Sequence, residues 1–449
     1  MAQSDSYQLA VLGGGPGGYA AAFLAADMGM RVALIDKEEN PGGVCLYRGC
    51  IPSKALLHVA KLLHEADAAK KMGVVFGKPE VSLEALRSWK ESVVALLTGG
   101  VGQLAKARKI TFVRGTGVLK DERTLEVTLE GGGSQTVAFE HCIVATGSMP
   151  AVLPKLSVQS PRVIDSSGAL ALADVPATML VVGGGYIGLE LGMVYAALGT
   201  RVSVVEMLPG LLPGADRDLV AVLEKRVRAA FESVLLETTV AGMSEQKVGV
   251  QVSFEGKNAP AAPITYDKVL MSVGRKPNSA GLGLERTKVK RDERGFIQVD
   301  AQRRTAEPSI YAIGDVVGEP MLAHKASHEG RVAVEAIAGQ KVAFEPAAIP
   351  AVIFTDPEIA WAGLTEAQAK ERGREVTVAK FPWGASGRAV TLERTDGLTK
   401  LVLDPQSGRV LGVGLVGAGA GELIAEGVLA IEMGALASDL SLTIHPHPT

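Results

Sequence analysis

Two stretches of this 449-residue chain repeat one another at a fixed offset, and that repeat constrains the fold more than any other feature. "YQLAVLGGGPGGYAAAFLAADMGMRVALID" near the start is echoed by "ATMLVVGGGYIGLELGMVYAALGTRVSVVE" in the middle. Each reads as an apolar strand, a glycine turn, a helix of small residues and a second strand ending in an acid. Gly13, Gly15 and Gly18 correspond to Gly183, Gly185 and Gly188, and Asp36 corresponds to Glu206, every pair 170 positions apart. In both copies the acid follows the third glycine by 18 positions. The first glycine of such a turn permits the tight bend, and the second lets backbone N–H groups approach a pyrophosphate. The third lets helix and strand pack closely, while the acid on the next strand binds a ribose diol. The repeat therefore predicts two dinucleotide sites. At the second, a carboxylate favours the 2′-hydroxyl of NAD and repels the extra phosphate of NADP. The residues after Glu206, "MLPGLLPGAD", bring no basic cluster to capture that phosphate.

Length and composition agree with this layout. A chain of this size holds about two to four domains. It is 47% hydrophobic and 4% aromatic with 53 glycines, a profile that suits α/β folds with many strand-to-helix turns. The formal charge of −3 gives no electrostatic footprint for nucleic acid. Three cysteines fit a reducing compartment. The opening "MAQSDSYQLAVLGGG" has neither a secretory nor an Arg-rich transit pattern, so a cytoplasmic protein is expected. Residues 175–200 carry a single charge, Glu190, but their clustered glycines fit a strand-to-helix turn better than a membrane span.

"CIVATGSMP" (142–150) and "KVLMSVGRKPN" (268–278) each end an apolar run with a glycine and read as crossings between two dinucleotide domains. "SIYAIGDVV" followed by "MLAHKASHEGRVAVEAIAG" reads as a strand, a turn at Asp315 and a helix. The expected layout is two Rossmann-like domains, the second inserted in the first, and a C-terminal α+β domain. Its boundaries are 1–148 and 271–342 for the first domain, 149–270 for the second and 343–449 for the last. The alternating strands of the last domain can lie on a partner.

Residues 42–54, "GGVCLYRGCIPSK", hold Cys45 and Cys50. In an ideal helix their Cα atoms would lie roughly 8.6 Å apart, whereas a disulfide needs less than about 7 Å. A bonded pair therefore requires a distorted first turn. Gly49 relaxes the backbone beside Cys50, and Pro52 removes an N–H that would bond back to residue 48. Arg48, Lys54 and a helix N-terminus would favour thiolate. The segment is open to three readings: a redox pair, half of a metal site, or two small residues in a packed turn. No second Cys/His pair lies nearby at zinc spacing, and placement in a polar, glycine-flanked turn favours redox chemistry over packing.

The same segment resembles the redox-disulfide motif of the pyridine nucleotide–disulfide oxidoreductases. Both glycine turns, "ATGS", "YAIGDV", "LAHKASHEG", "FTDPEIAWAG" and the ending "TIHPHPT" fall in that family's order, with Glu206 and the ending pointing to the members that oxidise a dihydrolipoyl group. The resemblance implies FAD in the first site, at Gly13, Gly15, Gly18, Asp36, Lys54, Gly117, Thr146, Gly147, Asp315 and Ala323. The helix that begins near "MLAHKASHEG" would aim its positive end at the flavin. On residues alone Asp315 also reads as a helix cap. The second site would take NAD through Gly183, Gly185, Gly188, Glu206 and Gly274, with Glu190 near the nicotinamide and paired to Lys54. Cys45 would meet substrate and Cys50 the flavin. His447 would be the general base with His445 its companion, acting on the neighbouring subunit of a homodimer. The substrate arm would come from a lipoyl-bearing subunit of a 2-oxo acid dehydrogenase or glycine cleavage complex. No metal, membrane or nucleic acid is expected, and His324 and His328 read as packing or solvent residues.

The chain departs from the family at Val44, Tyr47 and Arg48, where Thr, Asn and Val are usual. A family glutamate that orients the base would fall three residues beyond Thr449, and activity would be weaker without it. Two other readings remain open here: a different NAD(P)H-dependent disulfide or mercuric reductase, and a catalytically weak flavoprotein subunit of a multienzyme complex.

Overall fold

The computed structural model describes residues 6–449. The first five residues, part of the opening weighed above for a leader, lie outside it. Two compact units emerge, each assembled from separated stretches of chain.

The first unit contains residues up to Pro52, Ala85–Ala151 and Arg275–Glu345. Its sheet runs in the order Thr111–Asp121, Val32–Asp36, Ser6–Leu12, Ser134–Val144 and Ile310–Ala312, with these neighbours parallel. Thr124–Leu129 pairs antiparallel with both long strands, Thr111–Asp121 and Ser134–Val144. Along Ser6–Leu12, Leu9 and Val11 enter one core while Ala10 and Leu12 enter another on the opposite face. Burial on both faces is why this strand reads as an unbroken apolar run. Ala21, Ala22 and Ala25 of helix Pro16–Asp27 are fully buried in the first of these cores, with Ala333 and Val334 of helix Ala323–Ile337. Small side chains let the two helices approach closely. The short strands Ser148–Pro150 and Arg275–Pro277 pair antiparallel where the chain leaves this unit and returns to it.

The second unit contains Ser53–Glu84, Val152–Gly274 and Pro346–Thr449. Its parallel sheet has the order Ser233–Leu235, Arg201–Val205, Thr178–Val182, Lys268–Met271 and Val163–Ile164. Leu180 and Val182 pack in one core with Val240, Val250 and Val252 of an antiparallel meander spanning residues 238–266. Beyond Pro346 a five-stranded antiparallel sheet is covered by helix Ala420–Glu432, with Ile424 and Ile431 in the shared core. Among the described residues no helix is long and apolar enough to cross a membrane. Residues 178–197 form a strand, a turn and a helix.

Candidate active site

The 170-residue repeat survives as a repeat of hydrogen bonds. In the first unit Gly13 N–H donates to Ile35 O (2.8 Å) and Gly14 N–H donates to Asp36 Oδ2 (2.5 Å). In the second unit Gly183 N–H donates to Val205 O (2.9 Å) and Gly184 N–H to Glu206 Oε2 (2.7 Å). The other oxygen of each acid accepts an amide two residues on, from Glu38 at 2.9 Å and from Leu208 at 2.8 Å. Both acids thus brace their own turn, a role that spacing alone did not disclose. Each carboxylate oxygen keeps a second acceptor direction for a ribose hydroxyl. Burial pushes the Asp36 carboxyl above its ordinary range, an effect partly offset by the Gly14 amide and by Lys37 and Arg48.

The glycines are required for backbone reasons. Gly13 and Gly183 have φ of +109° and +107°, a region that side chains rarely adopt. A Cβ on Gly188 would lie 2.5 Å from Gly183 O, and one on Gly18 would collide with Gly13 O. Gly15 and Gly185, by contrast, cap helices Pro16–Asp27 and Tyr186–Ala197 without any side-chain cap bond, and Gly185 faces open space. Uncapped N–H groups at the positive end of a twelve-residue helix fit a pyrophosphate in both units, with open space beside Gly185 in the second.

The cysteine segment is seated directly on the first turn. Gly42 N–H donates to Gly14 O (2.7 Å), and a Cβ on Gly43 would lie 2.5 Å from the Gly15 Cα. Cys45 lies in helix Gly43–Arg48 and Cys50 opens helix Cys50–Ala68, so the backbone breaks between them at Gly49. A Cβ on Gly49 would approach Val44 O to 2.8 Å, which makes glycine the residue that allows the break. Cys45 is half-buried and Cys50 exposed. Burial raises the Tyr19 hydroxyl pKa, with smaller contributions from the charge of Cys45 and of Cys50. Tyr19 therefore belongs to the surroundings of both sulfurs, although no motif marked it. The two clearest departures from the family pattern have partners: Tyr47 Oη donates to Asn40 O (3.0 Å) and accepts from Asn40 N–H (3.1 Å), and Arg48 pairs with Glu38. Cys142 sits apart in the strand core, fully buried, its thiol pushed up to about 12 by burial.

Also in the first unit, Asp315 Oδ2 accepts from Ser148 Oγ (2.5 Å), which in turn accepts from Arg275 Nε (2.7 Å). Thr146 Oγ1 donates to Asn278 O (2.8 Å), and Asn278 N–H donates to Gly147 O (2.9 Å). Ala323 opens helix Ala323–Ile337, whose N-cap, Leu322, makes no side-chain cap bond. Ser327 Oγ donates to Pro16 O (3.2 Å), bringing the starts of two helices together. Gly117 is buried on its strand, beside Leu12. Ser148 and Arg275 lie 127 residues apart, and no local signal could have joined them to Asp315.

In the second unit Lys54 and Glu190 meet, Nζ to Oε2, at 2.8 Å. Glu190 is 3% exposed. Its other oxygen accepts from Phe354 N–H (2.9 Å), and the Phe354 ring lies 4.6 Å from Lys54 Nζ. Gly274, at φ +111°, faces open space. His447 is exposed in the final segment. His445 Nε2 lies 2.7 Å from Glu426 Oε1, an acid that the sequence did not single out. His324 and His328 are both exposed in the first unit. Asp216, Asp218 and Glu366 converge in the second unit, and the Lys400 ammonium lies among them at 2.6, 2.7 and 2.8 Å.

Residues 7–330 match the family model described as pyridine nucleotide-disulphide oxidoreductase, and residues 349–449 match the dimerisation domain of that family. A dihydrolipoyl dehydrogenase of Vibrio cholerae is 49% identical over the whole of this chain and 94% of that relative. Among solved structures, LpdA from Mycobacterium tuberculosis superposes with a TM-score of 0.91 at 27% identity, covering 98% of this chain and 96% of that one. The HOCl-induced flavoprotein disulfide reductase RclA from Escherichia coli gives 0.87 at 28% identity, covering 99% and 97%.

Proposed function

Because the chain belongs to the pyridine nucleotide-disulphide oxidoreductase family, we propose that it is a dihydrolipoyl dehydrogenase, which oxidises protein-bound dihydrolipoamide to lipoamide as NAD+ becomes NADH. The observation that carries this reading is the seating of the cysteine segment on the first dinucleotide turn, through Gly42 N–H to Gly14 O. A segment that carries two cysteines and sits on one dinucleotide turn, in a chain with a second equivalent turn, fits dithiol oxidation linked to two dinucleotide cofactors. The first turn takes FAD and the second takes NAD. FAD, when bound, supplies the two-electron relay between dithiol and NAD+.

The protein's residues act as follows. One dihydrolipoyl thiolate attacks the Cys45 sulfur, breaking a Cys45–Cys50 disulfide and releasing Cys50 as thiolate. The second substrate thiolate attacks its partner sulfur in the mixed disulfide, closing the lipoyl S–S bond and expelling Cys45. His447 of the partner subunit takes the proton from the first substrate thiol, and the proton of the second passes to Cys45 as that sulfur leaves. Lys54, held by Glu190, presents a fixed positive charge on the helix that Cys50 opens. Asp315, held by Ser148, would accept hydrogen bonds from hydroxyls of the cofactor's ribityl chain. The dimerisation domain makes the working unit a homodimer, and the substrate arm belongs to a lipoyl-bearing subunit of a 2-oxo acid dehydrogenase or glycine cleavage complex. The domains divide as 1–148 with 271–342, 149–270, and 343–449.

Turnover with four substrate pairs tests the reading: NADH or NADPH, each with lipoamide or glutathione disulfide. NADH with lipoamide is expected to dominate. Preference for NADPH or for glutathione disulfide would overturn it in favour of another disulfide reductase.

A further inference from the structure

Glu329 is completely buried, yet no step above uses it. A carboxylate removed from water at this depth is costly unless donors surround it. Here Oε1 meets Arg303 Nη1 at 3.0 Å and Lys325 Nζ at 3.1 Å, and Oε2 accepts from Gly314 N–H at 2.6 Å. The last bond is the informative one, because Gly314 immediately precedes Asp315 and has φ +77°. Lys325 Nζ also donates to Gly318 O at 3.2 Å. One buried ion pair therefore grips both ends of the turn that carries Asp315. From the other side the Asp315 carboxylate is held by Ser148.

We propose that Glu329 is a positioning residue: through the Gly314 amide it fixes the turn that presents Asp315 to the flavin cofactor. The inference rests on Asp315 being a cofactor ligand. A turn of five residues with glycines at both ends has wide conformational freedom, and an amide-to-carboxylate bond belongs to the stronger class of hydrogen bonds. Without that bond the apoprotein would sample many placements of Asp315, and binding would bear the cost of ordering it.

The test separates the amide contact from the ion pair. K325M/E329Q keeps an oxygen for Gly314 N–H, whereas K325M/E329A removes it, and neither leaves the Lys325 ammonium buried alone. FAD is titrated into each apoprotein and followed by quenching of flavin fluorescence, with the melting temperature of each apoprotein as a control. K325M/E329A is expected to bind FAD at least about tenfold more weakly than K325M/E329Q. Equal affinities would overturn the proposal, because a purely structural role would lower both melting temperatures and leave that ratio at one. If K325M/E329A does not fold, hydrogen exchange at the Gly314 amide of the wild-type apoprotein decides: protection supports the proposal, and exchange at the rate of an open loop overturns it. A wild-type apoprotein that binds no FAD would instead defeat the functional reading.

Discussion

Lys54 and Glu190 form an ion pair whose two ends are not equally exposed: the Lys54 side chain is 30% accessible and that of Glu190 4%. That asymmetry sets the order of mutant stabilities. Lys54→Met leaves a carboxylate almost out of water with only the Phe354 amide as a charge-independent donor, and it is expected to cost about 3–5 kcal/mol. Glu190→Gln leaves an ammonium that water can reach and is expected to cost about 1–3 kcal/mol. The double variant K54M/E190Q should recover part of the loss of K54M. Urea midpoints measure all three, and K54M no less stable than E190Q would contradict the assignment.

Glycines within one turn are expected to fail in different ways. Gly188→Ala drives a methyl to 2.5 Å from Gly183 O, a backbone atom that has no rotamer with which to yield. Gly185→Ala points its methyl into open space where the pyrophosphate would lie. G188A should therefore lower the melting temperature or prevent folding. G185A should keep its melting temperature and bound flavin while the KM for NAD rises about tenfold or more. Unchanged KM in G185A would remove the second turn from the NAD site.

How much of this was readable in advance depends on how far apart the partners lie in sequence. Gly13, Gly15, Gly18 and Asp36 declare themselves because the turn, helix and acid fall within one short unit, and a second copy repeats the spacing. The break at Gly49 was likewise readable from a glycine beside Cys50. Ser148, Arg275 and Phe354 were not, since each meets its partner only after folding brings distant segments together, and Glu329 reads as one more helix charge until the turn at Gly314, 15 residues earlier, closes on it. Tyr47 and Arg48 stood out as departures, but their partners Asn40 and Glu38 lie in an irregular loop with no periodic signal. Lys400 is the extreme case. A lysine 1% exposed on a strand looks like any other lysine until three acids from two other elements close around it.

Lys400 makes the acidic cluster indifferent to metal. Burial pulls the Lys400 pKa down, but Asp216, Asp218 and Glu366 more than offset it, and the net shift is upward. The ammonium stays charged at neutral pH and occupies the place that a cation would take among the three carboxylates. EDTA is expected to leave the melting temperature unchanged. Lys400→Met, which leaves Asp216 and the other two acids with only the more exposed Lys380 beside Asp218 and Glu366, should cost about 3–5 kcal/mol. Because the folded pKa is raised, this contribution is present below about pH 10.5 and is lost as pH rises through the folded value. Loss of stability on chelation would show that the cluster holds a metal.

Thiol chemistry should separate the cysteines by burial. With its pKa pushed up to about 12, only about one Cys142 in ten thousand is thiolate at pH 8, and the residue is fully enclosed. After reduction, iodoacetamide at pH 8 should label Cys45 and Cys50 and leave Cys142 intact until denaturant is added. Peptide mass spectrometry distinguishes the three positions. Alkylation of Cys142 in the native protein would contradict the packing described for its strand.

The pair formed by His445 and Glu426 gives a pH signature on the surface. The hydrogen bond to Glu426, reinforced by its charge, raises the His445 pKa above the ordinary histidine value. A raised folded pKa means that the fold favours the protonated ring. The stabilisation is therefore full below about pH 6.5 and disappears as pH rises through the folded value. NMR titration should place the His445 midpoint above about 6.5, and Glu426→Gln should bring it back. Added salt should also lower it, because charges exposed on both sides are screened. A midpoint that ignores both salt and the Glu426→Gln change would mean that the two side chains do not pair in solution.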